Sequence, residues 1–144
     1  MTHEDAGHYA KKHQGTQADP KIGSALKKRS DKGTISCAAV HAVAKELGIS
    51  PDEAGVQADL LELRLIDCSL GLFGYGDDKN KPAPMAAVPQ PLDQALDKAS
   101  KNGRVSCLEC WTIARELNLN RKDVTSACET KKLKIKPCQL GAFK

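Results

Sequence analysis

The stretch Ile35–Leu65, ISCAAVHAVAKELGISPDEAGVQADLLELRL, has a second copy seventy positions downstream, where Val105–Ile135 reads VSCLECWTIARELNLNRKDVTSACETKKLKI. The match runs without a gap from Ile22 on Leu92 to Phe73 on Phe143. Ala25, Leu26, Gly33, Ser36, Cys37, Ala44, Glu46, Leu47, Leu63, Cys68, Leu70, Gly71 and Phe73 meet the same residue in the second copy. Core-type and turn-type residues are kept together, so the chain carries two copies of one folding unit. The repeat is also an internal control. A residue shared by both copies serves the fold, and a residue that differs is free to serve function.

Local signals place the elements. Ser36 and Ser106 are N-cap residues, and Ser106 with Glu109 makes a capping box. Val43, Ala44 and Leu47, or Ile113, Ala114 and Leu117, follow at helical spacing. Gly48 or Asn118 ends that helix, since both tolerate a left-handed conformation. A second cap follows, Ser50 with Pro51 and Glu53, or Asn120 with Asp123. The next helix turns Ala54, Ala58 and Leu61 inward, or Val124, Ala127 and Cys128. Two helices joined by so short a turn fit a helix-turn-helix. Upstream, Asp19-Pro20 opens a helix closed by Gly33, and Pro91-Leu92 opens its counterpart closed by Gly103. Short β segments fall at Thr34–Ser36, Arg64–Cys68, Arg104–Ser106 and Lys134–Cys138.

This pattern, with Ala44, Gly48 and Ala54 in one copy and Ala114, Asn118 and Val124 in the other, resembles winged helix-turn-helix proteins. The resemblance covers about 55 residues in each copy. It implies a mainly α fold with small β, two tandem winged-helix-like domains, and a function in binding nucleic acid or protein. The tails after Cys68 and Cys138 are short, so the wings are expected to be truncated. Leu70 and Phe73, with Leu140 and Phe143, are expected to form a hydrophobic clasp returning to each core.

The expected organisation is a flexible polar arm over 1–18, a first repeat over 19–76, a Pro-rich linker over 77–90, and a second repeat over 91–144. Aromatic residues are only Tyr9, Phe73, Tyr75, Trp111 and Phe143, so the cores must be aliphatic. No run reaches the roughly 18 apolar residues of a membrane span. The first 20 residues hold no apolar signal region, so a cytoplasmic protein with reduced thiols is expected.

Charge is uneven. Residues 21–76 hold seven Lys/Arg and seven Asp/Glu, whereas residues 77–144 hold thirteen and eight. The excess of the net +4 therefore lies in the second half, which favours an anionic partner there. The first repeat's final helix carries Asp52, Glu53, Asp59 and Glu62, a surface phosphates would repel. It is expected to pack on the other repeat or on another protein. The second repeat's final helix, Arg121 to Lys132, turns outward Arg121, Lys122, Thr125, Ser126, Glu129 and Lys132. Lys131, Lys134 and Lys136 extend the strip. Arg121, Lys122, Thr125, Ser126, Lys132, Lys134 and Lys136 are the candidate nucleic-acid contacts, because Arg reads guanine edges and Lys neutralises phosphates. A solvated lysine-rich face is the plainer alternative. Lys27, Lys28, Arg29 and Lys32 form a second basic cluster, read as a solvated face or as phosphate contacts.

Six cysteines remain. Cys107, Cys110, Cys128 and Cys138 have spacing compatible with a four-thiolate zinc site. However, Val40 and Ala58 replace Cys110 and Cys128 in the first copy, as expected of small buried residues. The recurrent pairs Cys37 with Cys68 and Cys107 with Cys138 leave a redox or metal-sensing role open. No enzyme constellation is present, and no metal or other cofactor is called for.

The expected function is duplex DNA binding in a transcription-regulatory role, with the second repeat contacting DNA and the first packing or docking. A protein–protein interaction module and a thiol-based metal or redox sensor are the alternatives. No membrane partner is expected. The expected assembly is a monomer forming an intramolecular pseudo-dimer, or a homodimer.

Overall fold

A computed structural model describes residues 8–72 and 81–142. The described residues are mainly α-helical, with two small sheets of two short strands each. One order of elements occurs twice. The first copy has α1 Pro20–Arg29, β1 Thr34–Ser36, α2 Cys37–Leu47, α3 Pro51–Leu60 and β2 Arg64–Ile66. The second has α4 Gln90–Ala99, β3 Arg104–Val105, α5 Cys107–Glu116, α6 Arg121–Thr130 and β4 Lys134–Ile135. Each helix of the second copy starts seventy residues after its counterpart, so the sequence repeat is a structural one.

The caps explain where the helices begin and end. Asp19 accepts from the Lys21 and Ile22 amides, Ser36 from Ala39, and Ser50 from Glu53. Ser106 and Glu109 form the full capping box. Gly48 closes α2 at φ 65, and Asn118 takes φ 54 after α5. Asn120 differs from expectation: its backbone has cap geometry, but its side chain makes no cap hydrogen bond.

The strands do not pair as in a wing. β1 and β2 run parallel, with Ile35 beside Leu65, and β3 and β4 run parallel, with Val105 beside Ile135. A parallel pair needs a crossover rather than a hairpin, and α2–α3 or α5–α6 supplies it. No hairpin follows β2 or β4 among the described residues.

The chain divides into two compact units whose boundaries differ from the expected ones. The first takes in the described residues up to Cys68, together with Gln139 to Ala142. The second runs from Ser69 to Cys138. The tails following β2 and β4 are thus exchanged. In the first unit, Ile22, Leu26, Ile35, Val40, Val43 and Leu65 form the buried interior with Leu140 from the far end of the chain. In the second, Leu92, Leu96, Val105, Ile113, Val124 and Ile135 do so with Leu70. The clasp leucines are buried as expected, but each in the unit built by the other repeat. Phe73 and Phe143 lie outside the described residues.

The exchange rests on close packing at one matched position. In the first unit the Leu140 carbonyl lies so near Gly55 that a Cβ there would stand 2.0 Å from the oxygen. Gly55 lies in the interior of α3, where glycine ordinarily weakens a helix and is kept for close backbone approach. Its counterpart Thr125 meets the other tail differently, donating its hydroxyl to the Leu70 carbonyl at 2.7 Å.

The N-terminal segment is also part of its unit. Residues 8–18 were expected to belong to a flexible arm, yet Tyr9–His13 forms a 3-10 turn with Tyr9 buried. The Tyr9 and Ala10 amides donate to Glu62 at 2.9 Å. Asp59, 1% exposed, faces Lys12 at 3.3 Å and His13 at 2.6 Å. A buried carboxylate needs such partners. Asp59 of α3 and Glu62 just beyond its end therefore hold the chain's own N-terminal segment. The second unit repeats the arrangement with the expected linker, where Lys81 pairs with Glu129 at 2.9 Å. The Met85 amide donates to the Ser126 carbonyl, and the Thr130 hydroxyl donates to the Met85 carbonyl.

Candidate nucleic-acid interface

α6 is amphipathic, and Val124, Ala127 and Cys128 face inward as its spacing requires. The face expected to read bases is largely taken up by the chain itself. Thr125 is fully buried and bonded to Leu70, which corrects its assignment as a nucleic-acid contact. Its hydroxyl satisfies a buried carbonyl and is not free for a base edge. Ser126 is half-buried, beside the backbone of Met85. Lys131, counted in the cationic strip, is held by Asp93 and by Asp97 at 2.8 Å, and these carboxylates push its pKa up.

Arg121 and Lys122 remain exposed at the start of α6. The Arg121 guanidinium lies over the Trp111 ring, 3.6 Å from its centroid. Stacking occupies the face of the guanidinium and leaves its donors in the plane, the edge that meets a phosphate. His41 takes the place of Trp111 in the first copy, so this support is particular to the second.

The remaining predicted cations gather at the other end of α6, around the sheet. Lys132 sits in the turn after the helix at φ 58, beyond the helical face on which it was expected. Lys134 is paired in register with Arg104, so their Cα atoms are about 5 Å apart. Lys136 follows two residues on, its amide bonded to Val105, and so shares the Lys134 face. The isolated bridge between Lys101 and Arg104 brings in a fifth cation. Lys101, Arg104, Lys132 and Lys134 are exposed and Lys136 is half-buried. Among the described residues, none of these five side chains makes a hydrogen bond or ion pair.

The first repeat supplies the control. Asp31, Thr34, Glu62, Arg64 and Ile66 stand at the corresponding positions. One cation and two acids there replace five cations on the same backbone. Lys101 and Arg104 were missed in the sequence because they precede α5 and lie far from the lysine run. The signal was present in the replacement of Asp31 by Lys101 and Thr34 by Arg104 beside a turn glycine found in both copies. The other basic cluster keeps Lys27 and Lys28 exposed, while Arg29 pairs with Glu46.

No disulfide joins the six cysteines, and only Cys138 is not buried. Cys110 and Cys128 lie together between α5 and α6. The hydrogen bond from Cys110 to Cys128, together with burial, pushes the Cys110 thiol far up, and the same bond lowers Cys128. Among the described residues no three His, Cys, Asp or Glu side chains are grouped to hold a metal ion. The four-cysteine spacing is therefore not gathered into a site. No helix among the described residues is long and apolar enough to cross a membrane.

Comparison with protein-family models, curated proteins and solved structures finds no match to this chain.

Proposed function

We propose that this chain binds duplex nucleic acid, most simply DNA in a regulatory setting, and that its second repeat grips the phosphate backbone. The units are then wingless relatives of the winged helix, with a helix-turn-helix in each. The observation that carries the proposal is the unpaired cluster Lys101, Arg104, Lys132, Lys134 and Lys136, set against the mixed charge of the same positions in the first repeat. Uncompensated cations in one place cost self-repulsion, which a polyanion relieves. Arg121, stacked on Trp111, and Lys122 add a second contact point about 15 Å away along the helix. Because the Thr125 hydroxyl is engaged within the chain and Ser126 is half-buried, the contact is to phosphates, and sequence discrimination is weak.

The test is fluorescence anisotropy of the full chain with a generic 20-base-pair duplex across a salt series. The five phosphate contacts of the cluster give a log–log slope of about −4.5, which Arg121 and Lys122 steepen further. A flat response, or no binding at low salt, rejects the proposal. The quadruple change Lys101→Ala, Arg104→Ala, Lys132→Ala and Lys134→Ala should reduce the magnitude of the slope by about 3.6, four contacts' worth.

A further inference from the structure

The gap between α4 and α5, within the second unit, plays no part in the cationic cluster. It is a groove of about 630 Å³ walled by Pro91, Ala95, Ala99, Leu108 and Ile113, with Glu116 at its rim. Leu108 is 59% exposed, the only large hydrophobic side chain so open among the described residues.

The first repeat shows what the same gap looks like when filled. Arg29 stands where the second copy has Ala99, and its guanidinium reaches from α1 across to Glu46 on α2. Glu46 is the counterpart of Glu116, and the glutamate is kept in both copies. In the second copy the arginine is gone, and Glu116 has no ion pair among the described residues. The exposed Ala38 has meanwhile become Leu108. Two changes thus open one groove: a cation is removed opposite a retained acid, and an apolar side chain is added on the wall. Lys98 also borders the groove, but Lys28 matches it in the first copy, so it does not account for the difference. Glu109 is occupied by its capping box with Ser106.

We propose that this groove docks a segment of a partner protein carrying an arginine beside an apolar side chain. The arginine pairs with Glu116, as Arg29 does with Glu46, and the apolar side chain covers Leu108. The acidic rim disfavours a phosphate-bearing ligand here. A guanidinium suits the site because its planar fork meets a carboxylate in two hydrogen bonds.

The probe is a synthetic dodecapeptide with one leucine and one arginine four residues apart in an alanine–glutamine background. It is titrated into the isotopically labelled full chain, with amide shifts as the readout. Saturable shifts are expected at Ala99, Leu108, Ile113 and Glu116. Replacing the peptide arginine by citrulline, or Glu116→Gln in the protein, should weaken binding about tenfold. Ala99→Arg should abolish it while leaving the rest of the spectrum unchanged, since it supplies the cation from the protein's own wall. That variant is expected to fold because the first repeat folds with the same pair. Absence of shifts up to about 1 mM peptide overturns the proposal, as do shifts that survive Ala99→Arg. Dilution-dependent shifts at these residues without peptide would identify a second copy as the occupant, and also overturn it.

Discussion

The Thr125 hydroxyl donates to the Leu70 carbonyl at 2.7 Å, in a fully buried setting. The bond fixes the tail of the first repeat within the second unit. It also removes from solvent the residue best placed, by helix periodicity alone, to read a base. Thr125→Val keeps the shape but leaves the Leu70 carbonyl without this donor. Stability should fall by roughly 1–2 kcal/mol, measured by urea unfolding. DNA affinity at fixed salt should not change. A large loss of affinity with unchanged stability would restore Thr125 to the interface.

Gly55 and Gly23 make a matched pair of tests, since both lie in helices. A Cβ at Gly55 would collide with the Leu140 backbone, whereas one at Gly23 would stand 3.8 Å from a Leu61 methyl carbon. Gly55→Ala should cost roughly 2–4 kcal/mol, because backbone must move. Gly23→Ala should stabilise by roughly 0.5–1 kcal/mol through helix propensity and a smaller unfolded ensemble. Thermal unfolding of the two variants beside the parent checks both signs. Equal effects would mean that the tail does not press on α3.

The contrast marks how far the sequence could be read. The helices and caps were legible, because Ser36, Ser50, Gly48 and the apolar periodicity act within a few residues of themselves. The exchange was not legible, because SLGLF and QLGAF present the same pattern of apolar side chains. Either tail suits either core by hydrophobicity, and the Gly55/Thr125 difference is one feature that distinguishes the partners. The parallel strand pairing was hidden for a similar reason, since two or three residues carry no directional signal. The docking of Tyr9–His13 was missed because no counterpart of it is kept in the linker sequence. Of the candidate contacts, Lys132, Lys134 and Lys136 gather around the sheet, Arg121 and Lys122 stand at the other end of α6, and Thr125 is buried.

Lys131 and Lys134 lie three residues apart and should behave oppositely. Lys134 is exposed and unpaired among the described residues, so Lys134→Ala should weaken DNA binding and lower the salt slope by about one contact. Lys131 links α6 to Asp93 and Asp97 on α4, so Lys131→Met should lower stability and leave the slope unchanged. Its raised pKa fixes the pH window. A lysine whose folded pKa lies above its unfolded value stabilises fully below the unfolded value, about 10.4. That stability is lost as pH climbs through the folded value. The difference in urea midpoint between parent and Lys131→Met should therefore hold from neutral pH to about 10 and shrink above it. A difference that grows with alkalinity would contradict the ion-pair assignment.

The thiols give the last prediction. Cys138 alone among the six is only half-buried, while Cys110 and Cys128 are sealed between α5 and α6. Alkylation requires both access and thiolate. Brief iodoacetamide treatment of the native chain should therefore label Cys138 first, by at least about tenfold over any other cysteine. Cys110 should be the slowest, because burial and its hydrogen bond to Cys128 keep its proton in place. Mass mapping of the labelled peptides gives the order directly. In urea the six should react alike, since the protection comes from packing. Early labelling of Cys110 or Cys128 in the folded chain would mean that α5 and α6 open readily. The buried pair would then be accessible to oxidants, and a thiol-sensing role would have to be reconsidered.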